Sequence, residues 1–259
     1  MKTLFLTAAL AATVLSANAK NDNSRGYPIT PVPFTSVKVW DNSFWGQQLE
    51  TSRKVTIPLA FSKCESEGRY KNFERAAHPS NKYDVGKLMP YPFDDTDVYK
   101  TIEGASYILQ TYPDKRLKQY MDSILNLVAA AQEPDGYLYT ARTQNPEHPH
   151  PWSGATRWSE EENLSHELYN LGHMIQGAIA HYQATKSKKF LNIAMHYADC
   201  VCREVGPKPG QAHVVPGHQI AEMALSELYV VTGNKKYLDE AKYFLDYRGK
   251  TKVRQEYSQ

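Results

Sequence analysis

Apolar residues recur every three or four positions along most of the chain, which is the spacing of helices that bury one face. In the predicted helix 96–111, for example, Val98, Ile102, Ala105 and Leu109 fall on one side. No strand-rich region is visible beyond a short strand predicted at 37–40. The segments 64–95 and 137–159 are predicted to be long loops, and long loops in compact domains often carry function. The predicted helices are 44–63, kinked at Pro58, 96–111, 114–132, 161–185, 188–205, 216–231 and 235–248.

Three junctions between predicted helices resemble one another. Each has a tight polar turn and two basic residues before a large apolar residue, which is Leu117, Phe190 or Tyr237. Such a residue can anchor the start of the second helix. Similar turns between paired helices indicate repeated αα-hairpins. The fold class predicted from this pattern is all-α, a toroid of helical hairpins with its cleft on the side of the long loops.

The first 19 residues have the pattern of an export signal. Lys2 precedes an apolar run at 4–15, and Ala17-Asn18-Ala19 fits a cleavage site, so we expect a periplasmic or extracellular protein cut near Ala19. Residues 20–35 are predicted to be an extended, proline-rich lead-in, and 250–259 a polar tail. After the leader no stretch approaches 18 apolar residues, so no membrane span is predicted.

Composition and charge narrow the possible partners. Lys and Arg number 30 against 28 Asp and Glu, and this balance argues against a nucleic-acid binder. The 18 tyrosines suit either sugar binding or packing between helices. The cysteines are Cys64, Cys200 and Cys202, an odd number that excludes a fully paired set within the chain. Two positions apart on a helix, Cys200 and Cys202 point in different directions, so we expect small buried side chains rather than a disulfide or a metal site.

Acidic residues and histidines stand where predicted helices begin. Asp94-Asp95-Thr96-Asp97 can cap a helix or bind sugar hydroxyls, and Glu160-Glu161-Glu162 fits the favourable end of a helix dipole. His166 lies two turns before His173 and shares its face, in a spacing that is not the metalloprotease motif. His218 is predicted at another helix start, one turn before Glu222.

One catalytic arrangement can be drawn from these residues alone. Asp97 and Glu167 could form the carboxylate pair of a glycosidase, which needs a separation of about 5–9.5 Å. The sequence contains no Gly-x-Ser-x-Gly elbow, no phosphate-binding loop and no Cys-x-x-Cys pair.

An ordered set of motifs resembles the N-terminal part of glycoside hydrolase families 127 and 146, the bacterial β-L-arabinofuranosidases. The resemblance covers 36–249 and implies an incomplete (α/α)6 barrel, with about seven of its twelve helices present. It also implies substrate-binding roles for His166 and His218 and places Asp97, Arg69 and Tyr70 near the same cleft. The motifs are Trp40-Asp-Asn-Ser-Phe-Trp45, Asp95-Thr-Asp-Val-Tyr-Lys100, Ala131-Gln-Glu-Pro-Asp-Gly-Tyr-Leu138, Ser165-His-Glu-Leu-Tyr-Asn-Leu-Gly-His173, and Gly217-His218 with Glu222 and Ala224-Leu225.

The resemblance further implies retaining hydrolysis by a zinc-bound cysteine thiolate, with two more cysteines and a glutamate as zinc ligands and a separate glutamate as acid/base. Cys64, Cys200 and Cys202 do not match those ligands, so zinc is expected only in the full-length enzyme and no catalytic or metal residue in this chain. The expected function is a fragment of a secreted β-L-arabinofuranosidase that binds L-arabinose-containing oligosaccharides and is inactive alone. The alternatives are a non-catalytic sugar-binding module and an all-α glycosidase that uses Asp97 and Glu167.

Overall fold

The computed structural model describes residues 32–250, and the predicted leader, most of the lead-in and the tail from 251 lie outside the described residues. Within that range the chain is all helical, with an isolated bridge between Val205 and Ala212 and no strand. None of these helices combines the length and apolar character needed to cross a bilayer. The α-helices are α1 (Phe44–Thr51), α2 (Ile57–Ser66), α3 (Arg69–Ala76), α4 (Val85–Leu88), α5 (Asp95–Thr111), α6 (Lys115–Ala131), α7 (Thr140–Thr143), α8 (Glu167–Thr185), α9 (Lys189–Glu204), α10 (Ala221–Thr232) and α11 (Lys235–Tyr247).

The predicted hairpins are confirmed as the pairs α5/α6, α8/α9 and α10/α11. Asp114 caps α6 by accepting hydrogen bonds from the backbone N–H groups of Arg116 (2.8 Å) and Leu117 (3.1 Å). Phe190 and Tyr237 are fully buried, as anchors of a second helix should be, whereas Leu117 is partly buried. Local turn chemistry and one apolar anchor therefore define each hairpin.

The predicted first helix is continuous but irregular. A π-helical turn, Ser52–Thr56, joins α1 to α2, and the Ile57 N–H bonds to the Ser52 carbonyl five residues back. Pro58 follows at once in the first turn of α2. Because proline has no N–H to donate, the wider turn accommodates it where the sequence predicts a kink.

Several predictions of local structure are wrong, and the predicted loop at 137–159 also contains a short helix, α7. The strand at 37–40 does not form, since no described residue pairs with it. The loop at 64–95 contains α3 and α4, and the last residues of α2, including Cys64, extend into it. Residues 161–166 and 216–220 are loops rather than the first turns of α8 and α10. Short helices in a polar segment carry too little periodicity to detect, and the acids at 160–162 resemble a helix start without being one.

Helix α8 is the central element, buried on most of its faces. It packs closely on α5 because Gly177 has no side chain: a Cβ there would lie 2.8 Å from the Tyr99 carbonyl oxygen. The three cysteines are free, and Cys64 and Cys200 are buried. Cys202, which was expected to be buried like Cys200, is half-buried. The candidate site lies at the N-terminus of this buried helix.

Candidate functional site

Two histidines from separate loops face each other in front of α8. The rings of His166 and His218 have centroids 5.1 Å apart and are inclined by 46°. His166 has left-handed backbone geometry with φ of 64°, and its Nδ1 lies 2.5 Å from the Leu164 carbonyl oxygen. Burial, with a smaller effect of His218, lowers the pKa of His166. The ring is therefore uncharged at neutral pH: its Nδ1–H donates to the Leu164 carbonyl oxygen, and its Nε2 is left as a hydrogen-bond acceptor.

Tyr169 connects this pair to α5. Its ring centroid lies 5.2 Å from that of His218, 5.6 Å from that of His166 and 4.6 Å from that of His173. The Lys100 ammonium group donates a hydrogen bond of 2.6 Å to the Tyr169 hydroxyl and lies 4.8 Å from the ring centroid. Burial, with smaller effects of Lys100 and His218, lowers the pKa of His173 to about 4.

Arg69 and Asp97 lie on the other side of Lys100. The Arg69 Nε donates to Asp97 Oδ2 at 2.9 Å, and its Nη1 lies 3.2 Å from Asp94 Oδ2. Asp94 is buried, and despite Arg69 this burial raises its pKa to about 6. A cavity of about 280 Å³ lies here, lined by Arg69, Asp97 and Lys100 among others. Lys100, in the wall of this cavity, contacts Tyr169, which in turn packs against His166 and His218.

The structure does not bring Tyr70 together with the other predicted site residues. Its side chain is buried, and its hydroxyl donates to the Phe61 carbonyl oxygen at 3.4 Å. It packs in the core between α2 and α3 and does not line the cavity beside Arg69.

Asp94, which immediately precedes α5, does not cap the helix with a side-chain hydrogen bond. Asp95 instead accepts from the backbone N–H (2.9 Å) and the hydroxyl (2.6 Å) of Thr140. Asp97 keeps a 48% exposed side chain beside Arg69 and is the acid left open to a ligand.

Glu167 is a structural acid, so the glycosidase pair of Asp97 and Glu167 is wrong. Its buried carboxylate accepts hydrogen bonds from the Tyr137 hydroxyl (2.6 Å), the Trp158 backbone N–H (3.0 Å) and the Ser165 hydroxyl (2.8 Å). With no exposed surface and both oxygens occupied, it cannot reach a sugar. Glu222, expected near His218, is likewise buried and accepts from Arg248 at 2.7 Å.

A second buried acid holds the two histidine loops in place. Glu161 Oε2 accepts a hydrogen bond of 3.1 Å from the Leu168 backbone N–H and lies 3.3 Å from the Ser165 hydroxyl oxygen. Glu161 therefore provides an acceptor for the N-terminus of α8 from outside the helix. Burial and the nearby charge of Glu167 raise the pKa of Glu161 well above its usual range.

The loop that carries His218 contacts the segment that contains Glu161 and Glu162. Glu162 Oε1 accepts from the Val215 backbone N–H at 3.1 Å, and a Cβ at Gly217 would lie 2.9 Å from the Glu161 carbonyl oxygen. Between the two loops lies a cavity of about 180 Å³ lined in part by His166 and His218. The histidines are therefore held by a network of buried acids rather than by regular secondary structure.

A zinc–thiolate centre does not fit the described residues. Asp135, Cys200 and Glu204 place donor atoms within 4.8 Å of one another. Arg157 already pairs with Asp135 (2.6 Å) and Glu204 (3.0 Å), and burial raises the pKa of Cys200. This group is an ion pair beside a neutral thiol. Cys64, next to Thr101, and Cys202, next to Lys236, lie in other places.

Sequence reasoning missed Lys100, Tyr169 and Phe93. Phe93 packs against His166 with ring centroids 5.0 Å apart. Lys100 follows Asp97, and Tyr169 follows His166, by one helical turn, and both stand inside the motifs of the resemblance. This one-turn spacing from Asp97 and His166 is the sequence signal that could have identified Lys100 and Tyr169.

The chain is similar to several known proteins. A non-reducing end β-L-arabinofuranosidase from Bifidobacterium longum subsp. longum is 40% identical over 157 residues, which are 61% of this chain and 23% of that protein. The solved structure of the GH127 β-arabinofuranosidase BT3674 is 70% identical, with a TM-score of 0.86 over 90% of this chain and 36% of that one. Ara127N-Se, a GH127 β-L-arabinofuranosidase from Geobacillus stearothermophilus T6, is 34% identical, with a TM-score of 0.72 over 83% of this chain and 33% of that one.

This chain thus spans about a third or less of the length of these relatives. The family model for the β-L-arabinofuranosidase GH127 catalytic domain matches residues 36–259. The chain therefore belongs to the GH127 β-L-arabinofuranosidase catalytic-domain family.

Proposed function

We propose that this chain supplies the sugar-binding side of the active site of a secreted, retaining β-L-arabinofuranosidase. The observation that carries the proposal is the juxtaposition of His166 and His218, 5.1 Å apart between ring centroids, in a chain of this family. The substrate class is an oligosaccharide with L-arabinose at its non-reducing end, as the name of the Bifidobacterium longum relative suggests. Export of the protein rests on the leader pattern of residues 1–19.

The side chains suit recognition of a small, uncharged sugar. The Nε2 of His166 can accept a hydrogen bond from one sugar hydroxyl, and the facing His218 ring offers a second polar group for the adjacent hydroxyl. The Tyr169 hydroxyl accepts from Lys100 at 2.6 Å, so its own proton is free for a sugar oxygen. Asp97, held by Arg69, offers carboxyl oxygens as acceptors near the same residues.

We assign no step of bond cleavage to this chain. The zinc-bound cysteine implied by the resemblance has no counterpart among the described residues, where the thiols are protonated and dispersed. Zinc, the nucleophile and the acid/base are proposed to belong to a part of the enzyme outside this sequence. By itself the chain is then an incomplete (α/α)6 barrel that binds without hydrolysing.

The test is ligand-observed saturation-transfer NMR with this chain and methyl β-L-arabinofuranoside. We expect binding of the β anomer, weaker binding of methyl α-L-arabinofuranoside, and loss of at least tenfold in affinity in His166→Ala and His218→Ala, about 1.4 kcal/mol each. His196→Ala, which removes an exposed imidazole on α9, is the matched control and should bind as the wild type does.

Two results would overturn the proposal. Binding that survives both substitutions, or the absence of any binding by the wild type, removes the sugar site. Hydrolysis of p-nitrophenyl β-L-arabinofuranoside by the purified chain with zinc would show that catalytic residues are present here and overturn the separation of binding from cleavage.

A further inference from the structure

A row of aromatic rings leads away from the histidine pair. Phe93 lies 5.0 Å from His166 between ring centroids and stacks on Tyr91 at 5.1 Å with an interplanar angle of 14°. Trp152 continues the row, 6.1 Å from Tyr91. The rings come from two separate segments, Tyr91 and Phe93 from the one before α5 and Trp152 from the one before α8, so the row is a product of tertiary packing.

The far end of the row is open to solvent. Tyr91 is 46% exposed and Trp152 is 37% exposed, whereas Phe93 is half-buried between Tyr91 and His166. Flat apolar rings that lie side by side at the surface and continue into a polar cleft are a common form of ligand surface.

The backbone holds these rings in place before any ligand binds. Tyr91 stands between two prolines, and the Pro92 carbonyl oxygen accepts a hydrogen bond of 3.3 Å from the Asn170 side chain on α8. The Trp152 backbone N–H donates to His150 Nδ1 at 3.1 Å. Pro151 lies so close to α4 that a Cβ at Gly86 would be 3.0 Å from its Cδ. A platform fixed in this way loses little entropy when a ligand binds.

We propose that Tyr91 and Trp152 form a second sugar subsite, which stacks on the ring to which the terminal arabinofuranose is attached. The proposal rests on the proposed function, which places the terminal sugar at His166 and His218. Sugar rings present C–H groups on one face, and these are attracted to the electron-rich face of an aromatic ring. None of the rings in the row carries a charge, so the surface fits a neutral sugar rather than an acidic one.

The position of the row fixes its occupant. When the terminal residue of a glycan contacts His166, the rest of the glycan has to extend out of the site. The aromatic row begins at Phe93, which contacts His166, and therefore lies on such a path. The next ring of the glycan then lies over Tyr91 and Trp152. This subsite would raise the affinity for two-ring ligands and leave the affinity for a single sugar unchanged.

The experiment compares two probes on the wild-type chain and its variants by saturation-transfer NMR. The probes are methyl β-L-arabinofuranoside and a disaccharide with β-L-arabinofuranose at its non-reducing end. We expect the disaccharide to bind about tenfold more tightly, and Tyr91→Ala and Trp152→Ala each to lower its affinity about three- to tenfold. Affinity for the methyl glycoside should not change in these variants, and only the second ring should lose saturation transfer.

Trp45→Ala is the matched control, because Trp45 is an exposed tryptophan on α1 outside the row. It should bind both probes as the wild type does. Equal affinity of the wild type for the two probes, or disaccharide affinity that is unchanged in Tyr91→Ala and Trp152→Ala, would overturn the subsite while leaving the proposed function intact. Failure of the wild type to bind either probe would overturn both.

Discussion

Gly172, in the second turn of α8, contacts Ile220 so closely that a Cβ on Gly172 would lie 2.6 Å from Ile220 Cγ2 and 3.0 Å from its carbonyl carbon. Ile220 ends the loop that carries His218. The absence of a side chain at one helical position therefore sets how near that loop can approach α8 and His166.

Gly172→Ala should displace His218. Because part of the clash is with backbone, the loop must move, so we expect severalfold weaker binding of methyl β-L-arabinofuranoside and a loss of about 1–3 kcal/mol in stability. Gly104→Ala is the control: its new Cβ would meet only the end of the Ile57 side chain, at 3.0 Å. Binding by that variant should equal the wild type. Wild-type affinity in Gly172→Ala would show that the contact does not position His218.

The two site histidines should influence each other's protonation. The pKa of His166 is lowered by burial first and by His218 to a smaller extent, so His218→Ala should raise it part of the way towards its ordinary value. The measurement is an NMR titration of the His166 ring protons. His196→Ala should leave the His166 pKa unchanged. An unchanged pKa in His218→Ala would mean that the two rings do not interact in solution.

Substitutions of the two buried acids Glu167 and Glu161 should lower the free energy of unfolding by unequal amounts. Glu167→Ala leaves the Tyr137 hydroxyl, the Trp158 N–H and the Ser165 hydroxyl without their acceptor, so we expect a loss of roughly 3 kcal/mol or more in urea unfolding. Glu161→Gln should cost about 1 kcal/mol or less at pH 7. The raised pKa of Glu161 favours its neutral form, which a glutamine side chain resembles, and the amide oxygen can still accept from Leu168.

The raised pKa of Glu161 also predicts how the stability of the fold depends on pH. Folded Glu161 keeps its proton to a higher pH than the unfolded chain, in which the pKa is near 4.5. The wild-type free energy of unfolding should therefore fall as pH rises above about 4.5, and less steeply in Glu161→Gln. Parallel pH profiles for the two proteins would contradict the raised pKa.

His181 is a site where a substitution should stabilise the fold. It is fully buried on α8, and neither ring nitrogen has a hydrogen-bond partner within residues 32–250. Burial lowers its pKa to about 4, whereas the unfolded value is near 6.5. Since the unfolded chain takes up this proton first, stability falls as pH drops from about 6.5 to about 4.

His181→Leu removes both the unpaired buried ring nitrogens and the loss of stability at low pH. We expect the melting temperature to rise at pH 7.5, where about 1–3 kcal/mol of unpaired polar burial is relieved, and to rise more at pH 5. His196→Leu, at an exposed position on α9, should change neither value. A lower melting temperature for His181→Leu at both pH values would show that the imidazole has a partner in solution.

Metal removal should not affect this chain. Because Arg157 neutralises Asp135 and Glu204 and the Cys200 thiol stays protonated, we expect no zinc-dependent stabilisation. The melting temperature should be equal with EDTA and with added zinc, and elemental analysis should find only substoichiometric zinc. A tight site with one zinc per chain would contradict both this prediction and the assignment of the metal centre to another part of the enzyme.

Much of the fold was predictable because it depends on neighbouring residues. The turns at Asp114 and Asn234 cap the next helix with their own side chains, and Phe190 and Tyr237 are buried as predicted. His166, His218 and Asp97 could be selected as candidates because their motifs lie in one order along the chain, whereas Arg69 lies in none of these motifs and was implied only by the resemblance. Their proximity could not be derived from spacing, because it depends on how two loops pack.

By itself the sequence determined the helical class, the three hairpins and the residue types available for sugar binding, since periodicity and turn chemistry act within a few residues. Only the tertiary structure decided that Glu167 is a buried acceptor, that Tyr70 faces the core, and that α8 starts at Glu167 while Glu161 provides an acceptor for its N-terminus from outside the helix. It also brought Tyr91, Phe93 and Trp152 into one row. These outcomes depend on desolvation and on contacts between distant segments, which a local pattern does not encode.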